Sequence, residues 1–283
     1  MRKVLIIGFR GLLGQELAGV FSRAILWDKK EVDITDKNKL NAMLSKVKPD
    51  VVINAAAYNA VDNCETTDGF KLAKKINDDA VGYLADFCSK NNALLIHYST
   101  NYVFSGNKKE GYNENDVPAP ISKYGYSKLM GEKKITAKKN LKYYLIRTSK
   151  LFGVRGKSEF AKENFFDIML KLANEKKDIK AVDDELSNFT YAPDLAQATK
   201  VLLEQNYEYG VYHIVNENPA TWYHGARKLF DILKLGVKLI AAGSDEFSRP
   251  AKRPRHDILI NTKFPKLRNY EDALHEFLKL KSL

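Results

Sequence analysis

The chain has 283 residues, about two domains' worth at roughly 150 residues each, and its 45% hydrophobic and 29% charged content excludes a disulfide-stapled miniprotein and a disordered chain. Basic residues exceed acidic ones by 46 − 35 = 11, a balance that raises nucleic acid, an anionic membrane or a nucleotide as partners and does not choose among them. Cys64 and Cys88 lack C-x-x-C spacing and read as packing residues in a reducing compartment, and the start at Met1 leads into an apolar run too short for a signal peptide or a bilayer span, so a cytoplasmic protein is expected.

In chain order, short apolar runs at residues 3–7, 24–27, 51–54, 94–98 and 143–147, with a weaker one at 179–182, predict strands. Amphipathic stretches at 12–22, 37–46, 70–90, 121–139, 160–173 and 193–204 predict the helices between them. Strands this uniformly apolar, interleaved with helices, indicate an α/β protein with a doubly wound parallel sheet. The sheet domain is expected over residues 1–150, completed by about 178–206. Residues 151–283 are expected to form a smaller, discontinuous substrate-binding lobe, with aromatic and Lys-rich pieces at 207–215, 222–235 and 270–283. The run 153–163 reads as an excursion over the sheet's carboxyl edge.

The first strand runs into Gly8-Phe9-Arg10-Gly11-Leu12-Leu13-Gly14 and then a helix, the strand-loop-helix context of a dinucleotide fingerprint. The first glycine turns tightly, the second lets backbone N–H groups approach a pyrophosphate, and the third lets helix and strand pack closely. Asp28, 20 positions beyond Gly8, is placed to accept from adenosine ribose hydroxyls, which favours NAD. Arg10, Lys29 and Lys30 could neutralise a 2′-phosphate, which favours NADP, and both stay open, as does a plain capping role for Asp28. Asp33 and Ile34 are assigned to the adenine end of the cofactor, while Thr35 or Asp36 caps the next helix. After the third strand, Ala55, Ala56 and Ala57 are small enough for the backbone to approach a flat cofactor.

Tyr124 and Lys128 stand at i and i+4 on one helix face. A tyrosine ordinarily titrates near 10, and a neighbouring cation stabilises its phenolate, bringing it toward the range where it can exchange protons. The fourth strand ends in Ser99-Thr100-Asn101-Tyr102, and a hydroxyl there, from Ser99 or Thr100, can share the charge developing on a substrate oxygen. His97, inside the same strand, reads as a core histidine.

These pieces, with Asp33-Ile34-Thr35-Asp36, residues 54–62, Leu129-Met130-Gly131-Glu132, Arg147-Thr148-Ser149, Val182-Asp183-Asp184, Thr221-Trp222-Tyr223 and Arg253-Pro254, resemble the dTDP-4-dehydrorhamnose reductase family over nearly the whole chain. That family belongs to the extended short-chain dehydrogenases/reductases. The resemblance implies hydride transfer from NADPH or NADH to C4 of a dTDP-linked 4-keto-6-deoxyhexose, most closely dTDP-4-dehydro-L-rhamnose, on the route to dTDP-L-rhamnose and surface polysaccharide. It assigns Thr100 to the C4 oxygen, Tyr124 to its protonation, and Lys128 to tuning Tyr124 and holding the nicotinamide ribose. Tyr102 and Asn164 match sugar-contacting positions, and Arg253 the approach to the diphosphate. No metal site is predicted, although Mg2+ at a dimer interface stays open, as do monomer and homodimer.

The chain departs from the family pattern where the sugar binds: Asn101 stands for a carboxylate, Asn59 for a threonine and Lys150 for a tryptophan. A flexible cation in place of a flat apolar platform changes what the pocket accepts, so the sugar stays open. A 4,6-dehydratase would need an Asp-Glu pair after Thr100, which Asn101 and Tyr102 do not supply. A 4-epimerase is usually longer. A non-catalytic NADP-binding regulatory subunit is the rival of another class. Nucleic-acid and membrane partners are not expected, because the lysines are scattered and no recognition motif accompanies them.

Overall fold

Runs rich in valine, leucine and isoleucine form strands that are mostly buried on both faces. In the computed structural model, which describes residues 2–159 and 161–282, these are β1 (Val4–Ile7), β2 (Ile25–Trp27), β3 (Val51–Asn54), β4 (Leu94–Thr100) and β5 (Lys142–Thr148). With β9 (Gly210–His213) they make one parallel sheet in the order β2-β1-β3-β4-β5-β9. The chain leaves β1 in one direction to build β2 and in the other to build β3. A crevice therefore opens where the order reverses, at the strands' carboxyl ends.

Alternate strand residues face opposite cores. Leu5, Ile7, Val52 and Leu95 pack under α2 (Lys37–Val47) and α4 (Ala80–Lys90), together with Ile135 of α5 (Lys123–Thr136). Ile6, Val51, Ile53 and Ile96 pack under α1 (Leu12–Val20) and α7 (Ala192–Glu204). Both faces are covered, the doubly wound arrangement expected from sequence. The third core is aromatic: Phe152, Phe166, Phe189, Tyr270 and Phe277 gather α6 (Phe165–Glu175), α8 (Trp222–Leu233) and α9 (Tyr270–Leu280) into the second lobe. Phe160 and Leu283, at the ends of two predicted stretches, and Met1 lie outside the described residues. Among the described residues, no helix is long and apolar enough to cross a membrane.

One strand assignment needs correcting. Residues 179–182 do form a strand, β7 (Asp178–Val182), but it pairs with β10 (Lys238–Ala242) in a separate two-stranded sheet. The sixth strand of the main sheet is β9, from the stretch 207–215 that sequence reading gave to the second lobe. The reason lies in the pattern. Asp178 and Lys180 are exposed while Ile179 and Ala181 are buried, a one-faced strand that an interior position would not tolerate. A short pair, β6 (Leu151–Phe152) with β8 (Thr190–Tyr191), joins the two lobes.

Two helix devices aim the site. The predicted helix 70–90 is continuous from 67 but contains a π-helical turn, Lys75–Asp79, between α3 (Thr67–Lys74) and α4. Ser122 caps α5 by accepting from Gly125 N at 3.1 Å. Deeper along α5, the Glu132 carboxylate grips the Arg147 guanidinium of β5 (Nη2–Oε2 2.7 Å) with both side chains buried.

Candidate active site

The glycine loop is built by close approach. Gly8 has φ +82°, and a Cβ there would lie 2.7 Å from Ala56 N. A Cβ at Gly14 would meet Gly8 O at 2.0 Å, so α1 can start this near the loop only with hydrogen at that position. The N-cap of α1 is Gly11, whose lack of a side chain leaves the positive helix end open to an anion. The run after β6 crosses this loop: Ser158 N donates to Arg10 O (2.9 Å) and Gln15 Nε2 to Val154 O (2.7 Å).

The predicted adenosine residues are tied into the same turn. Asp28 accepts from Arg10 N (3.2 Å) and Lys29 N (2.7 Å), and Arg10 lies over the Phe9 ring while reaching Glu31 (3.4 Å). Glu31, which also accepts from Asp28 N (2.7 Å), went unnoticed in the sequence. Burial works against the Asp33 charge, but two bonds from Thr35 (2.9 and 2.8 Å) and the nearby Lys29 and Lys39 outweigh it, leaving the carboxyl below its usual range. Asp36, rather than Thr35, caps α2 by accepting from Lys39 N at 3.0 Å.

Thr100, Tyr124 and Lys128 come together at the carboxyl end of β4. Thr100 rather than Ser99 faces the phenol: adjacent strand residues point to opposite faces, and the Ser99 hydroxyl is buried with no protein partner. Burial pushes the Tyr124 phenol up to about 12, and its hydrogen bond with Thr100 pulls it partway back. The pull expected from Lys128 is not among the influences on that phenol. The ammonium itself is buried, which depresses it to about 8, and it donates to Tyr98 O at 2.6 Å. Tyr102 packs edge-on against Tyr124, with ring centroids 5.9 Å apart. Asn77, in the π-helical turn, clamps this corner: it pairs with the Tyr58 backbone in both directions (2.9 Å each) and donates to Ser127 Oγ (3.0 Å).

The predicted substrate residues divide into two groups. Asn101 and Tyr102 lie at the reaction corner. Arg253 lies farther out, donating to both Asp62 oxygens (2.5 and 2.7 Å) and to Ala251 O (2.6 Å). That bond from Arg253 holds the Asp62 carboxyl below its usual range. A cavity of about 700 Å3 opens there, between residues 105–109 and 244–256, with Arg249, Lys252, Arg253 and Arg255 against Glu185 and Asp245. Tyr124, Thr100 and Lys128 do not line it. Asn59 is exposed. Asn164 is occupied as the N-cap of α6, accepting from Phe166 N and Asp167 N and donating to Gly153 O (2.8 Å).

Lys150 holds a left-handed backbone (φ 37°) and points inward, donating to Ala220 O (3.1 Å) with its ammonium 4.1 Å from the Trp222 ring centroid. Burial depresses it to about 8, against the pull of the Asp257 and Glu185 carboxylates. Asp257 and Glu185 are the acids that sequence reading missed. Glu185 also accepts from Trp222 Nε1 (3.0 Å) and pairs with Arg249. Neither acid carries a motif, and each reaches its partners only through the fold. Among the described residues, no three His, Cys, Asp or Glu side chains gather to hold a metal ion.

Against known proteins, residues 1–282 match the family model described as the RmlD substrate binding domain. The chain is 32% identical over 292 residues to the spore coat polysaccharide biosynthesis protein SpsK of Bacillus subtilis, spanning 100% of this chain and 99% of that protein. It is 34% identical over 278 residues to a dTDP-4-dehydrorhamnose reductase of Burkholderia thailandensis, spanning 92% and 90%. A crystal structure of a dTDP-4-dehydrorhamnose reductase from Clostridium acetobutylicum superposes with a TM-score of 0.91 at 35% identity, over 99% of this chain and 100% of that one. The Bacillus anthracis enzyme of the same name, in complex with NADP, gives 0.90 at 30% identity over 99% of both chains.

Proposed function

The chain belongs to the RmlD substrate-binding-domain family of dTDP-4-dehydrorhamnose reductases and is an NAD(P)-dependent oxidoreductase acting on a dTDP-sugar, and on that premise we propose that it reduces the C4 ketone of dTDP-4-dehydro-L-rhamnose to give dTDP-L-rhamnose. The observation that carries this reading is the meeting of the Thr100 and Tyr124 hydroxyls, with Lys128 one helical turn along the same face of α5.

The residues fit a dinucleotide. The positive φ of Gly8 and the side-chain-free cap at Gly11 leave room and N–H groups for a pyrophosphate, and Lys128 has spent one N–H on Tyr98 O, keeping two for ribose hydroxyls. When bound, NAD(P)H supplies the hydride. Tyr124 supplies the proton: a phenol pushed up to about 12 stays protonated through the neutral range, the form needed to donate to an oxygen that is gaining negative charge. Thr100 bonds the same oxygen and shares that charge. Arg253, set in the basic cavity, meets the diphosphate.

The test is NAD(P)H oxidation with dTDP-4-keto-6-deoxyhexoses. The rhamnose precursor is expected to turn over, and Tyr124→Phe to cut turnover by about 10^2–10^4 while cofactor binding persists. A wild-type protein that binds the dinucleotide and oxidises none of it with any of these sugars would be a binding subunit instead.

A further inference from the structure

Asn54, the last residue of β3, and His97 of β4 are paired in register in the main sheet, each 1% exposed. The reduction as described uses neither. Their hydrogen-bonding groups leave one way to meet. Ala56 N donates to Asn54 Oδ1 (3.2 Å), and a backbone N–H can only donate, so the amide turns its oxygen to the loop and its nitrogen to the ring. Asn54 Nδ2 lies 3.1 Å from His97 Nδ1. An amide nitrogen only donates, so Nδ1 accepts and the proton of the ring sits on Nε2, which is buried with no protein partner.

The surroundings keep the ring uncharged. Burial and the nearby Lys128 ammonium hold it well below its usual range, against the pull of the Asn54 backbone carbonyl. A proton on Nδ1 would also set donor against donor at Asn54. The ring is therefore a fixed acceptor, which an aliphatic core residue could not be.

What the ring holds is the start of the alanine run. Ala55 N donates to Ile7 O (2.9 Å), and a Cβ on Gly8 would lie 2.7 Å from Ala56 N, so this backbone forms the wall beside the glycine loop. An Asn54 amide turned over would aim its nitrogen at the Ala56 N–H, and the wall would have to shift. We propose that His97 is a positioning residue for the dinucleotide, locking through Asn54 Nδ2 the amide that anchors Ala56 N beside Gly8. This rests on the reading in which the glycine loop and the alanines after β3 cradle NAD(P)H.

Two measurements on the full chain test this. With 15N-histidine labelling, the His97 ring, identified by its loss in His97→Asn, is expected to show a protonated Nε2 and a bare Nδ1 at neutral pH. Asn54→Asp should reverse that pattern, because a carboxylate in place of the amide only accepts and draws a proton onto Nδ1. In parallel, affinity is read from NAD(P)H fluorescence. His97→Leu should weaken it about 5–10-fold, the worth of one hydrogen bond, and raise KM for NAD(P)H while kcat at saturating cofactor and KM for the sugar stay close to wild type. His97→Asn, whose Oδ1 stands near the place of Nδ1, should restore most of the affinity. His97→Gln, which carries its amide out to the place of Nε2, should not, and it serves where the leucine variant does not fold. A wild-type ring protonated on Nδ1, wild-type affinity in His97→Leu or His97→Gln, or no rescue by His97→Asn overturns the proposal. Absence of dinucleotide binding in the wild type would instead overturn the cradle reading, and the ring's protonation pattern would still decide whether His97 locks Asn54.

Discussion

The reaction corner and the wall of the second lobe each bury a lysine, and burial lowers both ammonium groups to about 8. Lys128 belongs to a regular helix, four residues from Tyr124, with a backbone carbonyl as its partner. Lys150 sits on a left-handed residue and finds Ala220 O, the Trp222 ring and the influence of two acids, all from segments at least 35 residues away. The first site needs one strand and one helix. The second exists only once the whole chain has folded. The proposed reaction corner is built on neighbouring elements, and the buried surroundings of Lys150 are assembled over long range.

That contrast can be broken by mutation. The largest effect expected is at Glu132, whose buried pair with Arg147 fixes α5, and with it both Tyr124 and Lys128, to the sheet. Glu132→Ala leaves the Arg147 guanidinium buried without its partner beside His213, and should cost about 3–5 kcal/mol in chemical denaturation. An effect below about 1 kcal/mol, in the range of surface pairs, would show that the corner is not held by this pair. In the second region, Arg253→Ala should raise KM for the dTDP-sugar about 10–100-fold, the value of one or two hydrogen bonds to a charged group, and leave kcat nearly unchanged. A matching fall in kcat would mean that the clamp takes part in the chemistry and that the two regions are not separable.

The same contrast governs what the sequence reveals. The strand Val51–Asn54 is legible because Val51, Val52 and Ile53, buried on both faces, leave a continuous apolar run. The main sheet's last strand is not, because Gly210-Val211-Tyr212-His213 carries neither alternation nor a long apolar run and is placed only by pairing with β5. Thr100, Tyr124 and Lys128 are readable as spacing on one strand end and one helix. Lys150 and Asn101 stand out as departures from a pattern, but their partners Glu185 and Asp257 do not. An acid in a loop looks solvated until a segment 156 residues distant folds over it. The Asn164 cap and the Asp28 turn show the converse, in which a residue that fits a ligand role by position is already engaged by its own backbone.

The smallest expected effect separates the two lysines themselves. Each ammonium titrates at about 8 in the folded protein and near 10.5 once unfolded. Below about 8 both states hold the proton. Between 8 and 10 the unfolded chain holds a proton that the native one has lost, so stability rises with pH, by at most about 1.4 kcal/mol per pH unit for each group. Above 10 the buried tyrosines act the other way, since Tyr124 keeps its proton to about 12 while the unfolded phenol gives it up. Between pH 8 and 10 the buried Cys64 and Cys88 thiols, raised to about 11 and about 12, act the same way as the tyrosines, so urea midpoints isolate each lysine as the difference between its variant and the wild type. Lys150→Met should flatten the rise more than Lys128→Met, because removing Lys150 also strips Asp257 of the cation that favours its ionised form, and a folded Asp257 that keeps its proton to higher pH opposes the rise. Equal flattening in the two variants would mean that Lys150 titrates without its acids, and that the wall is no more interconnected than the corner.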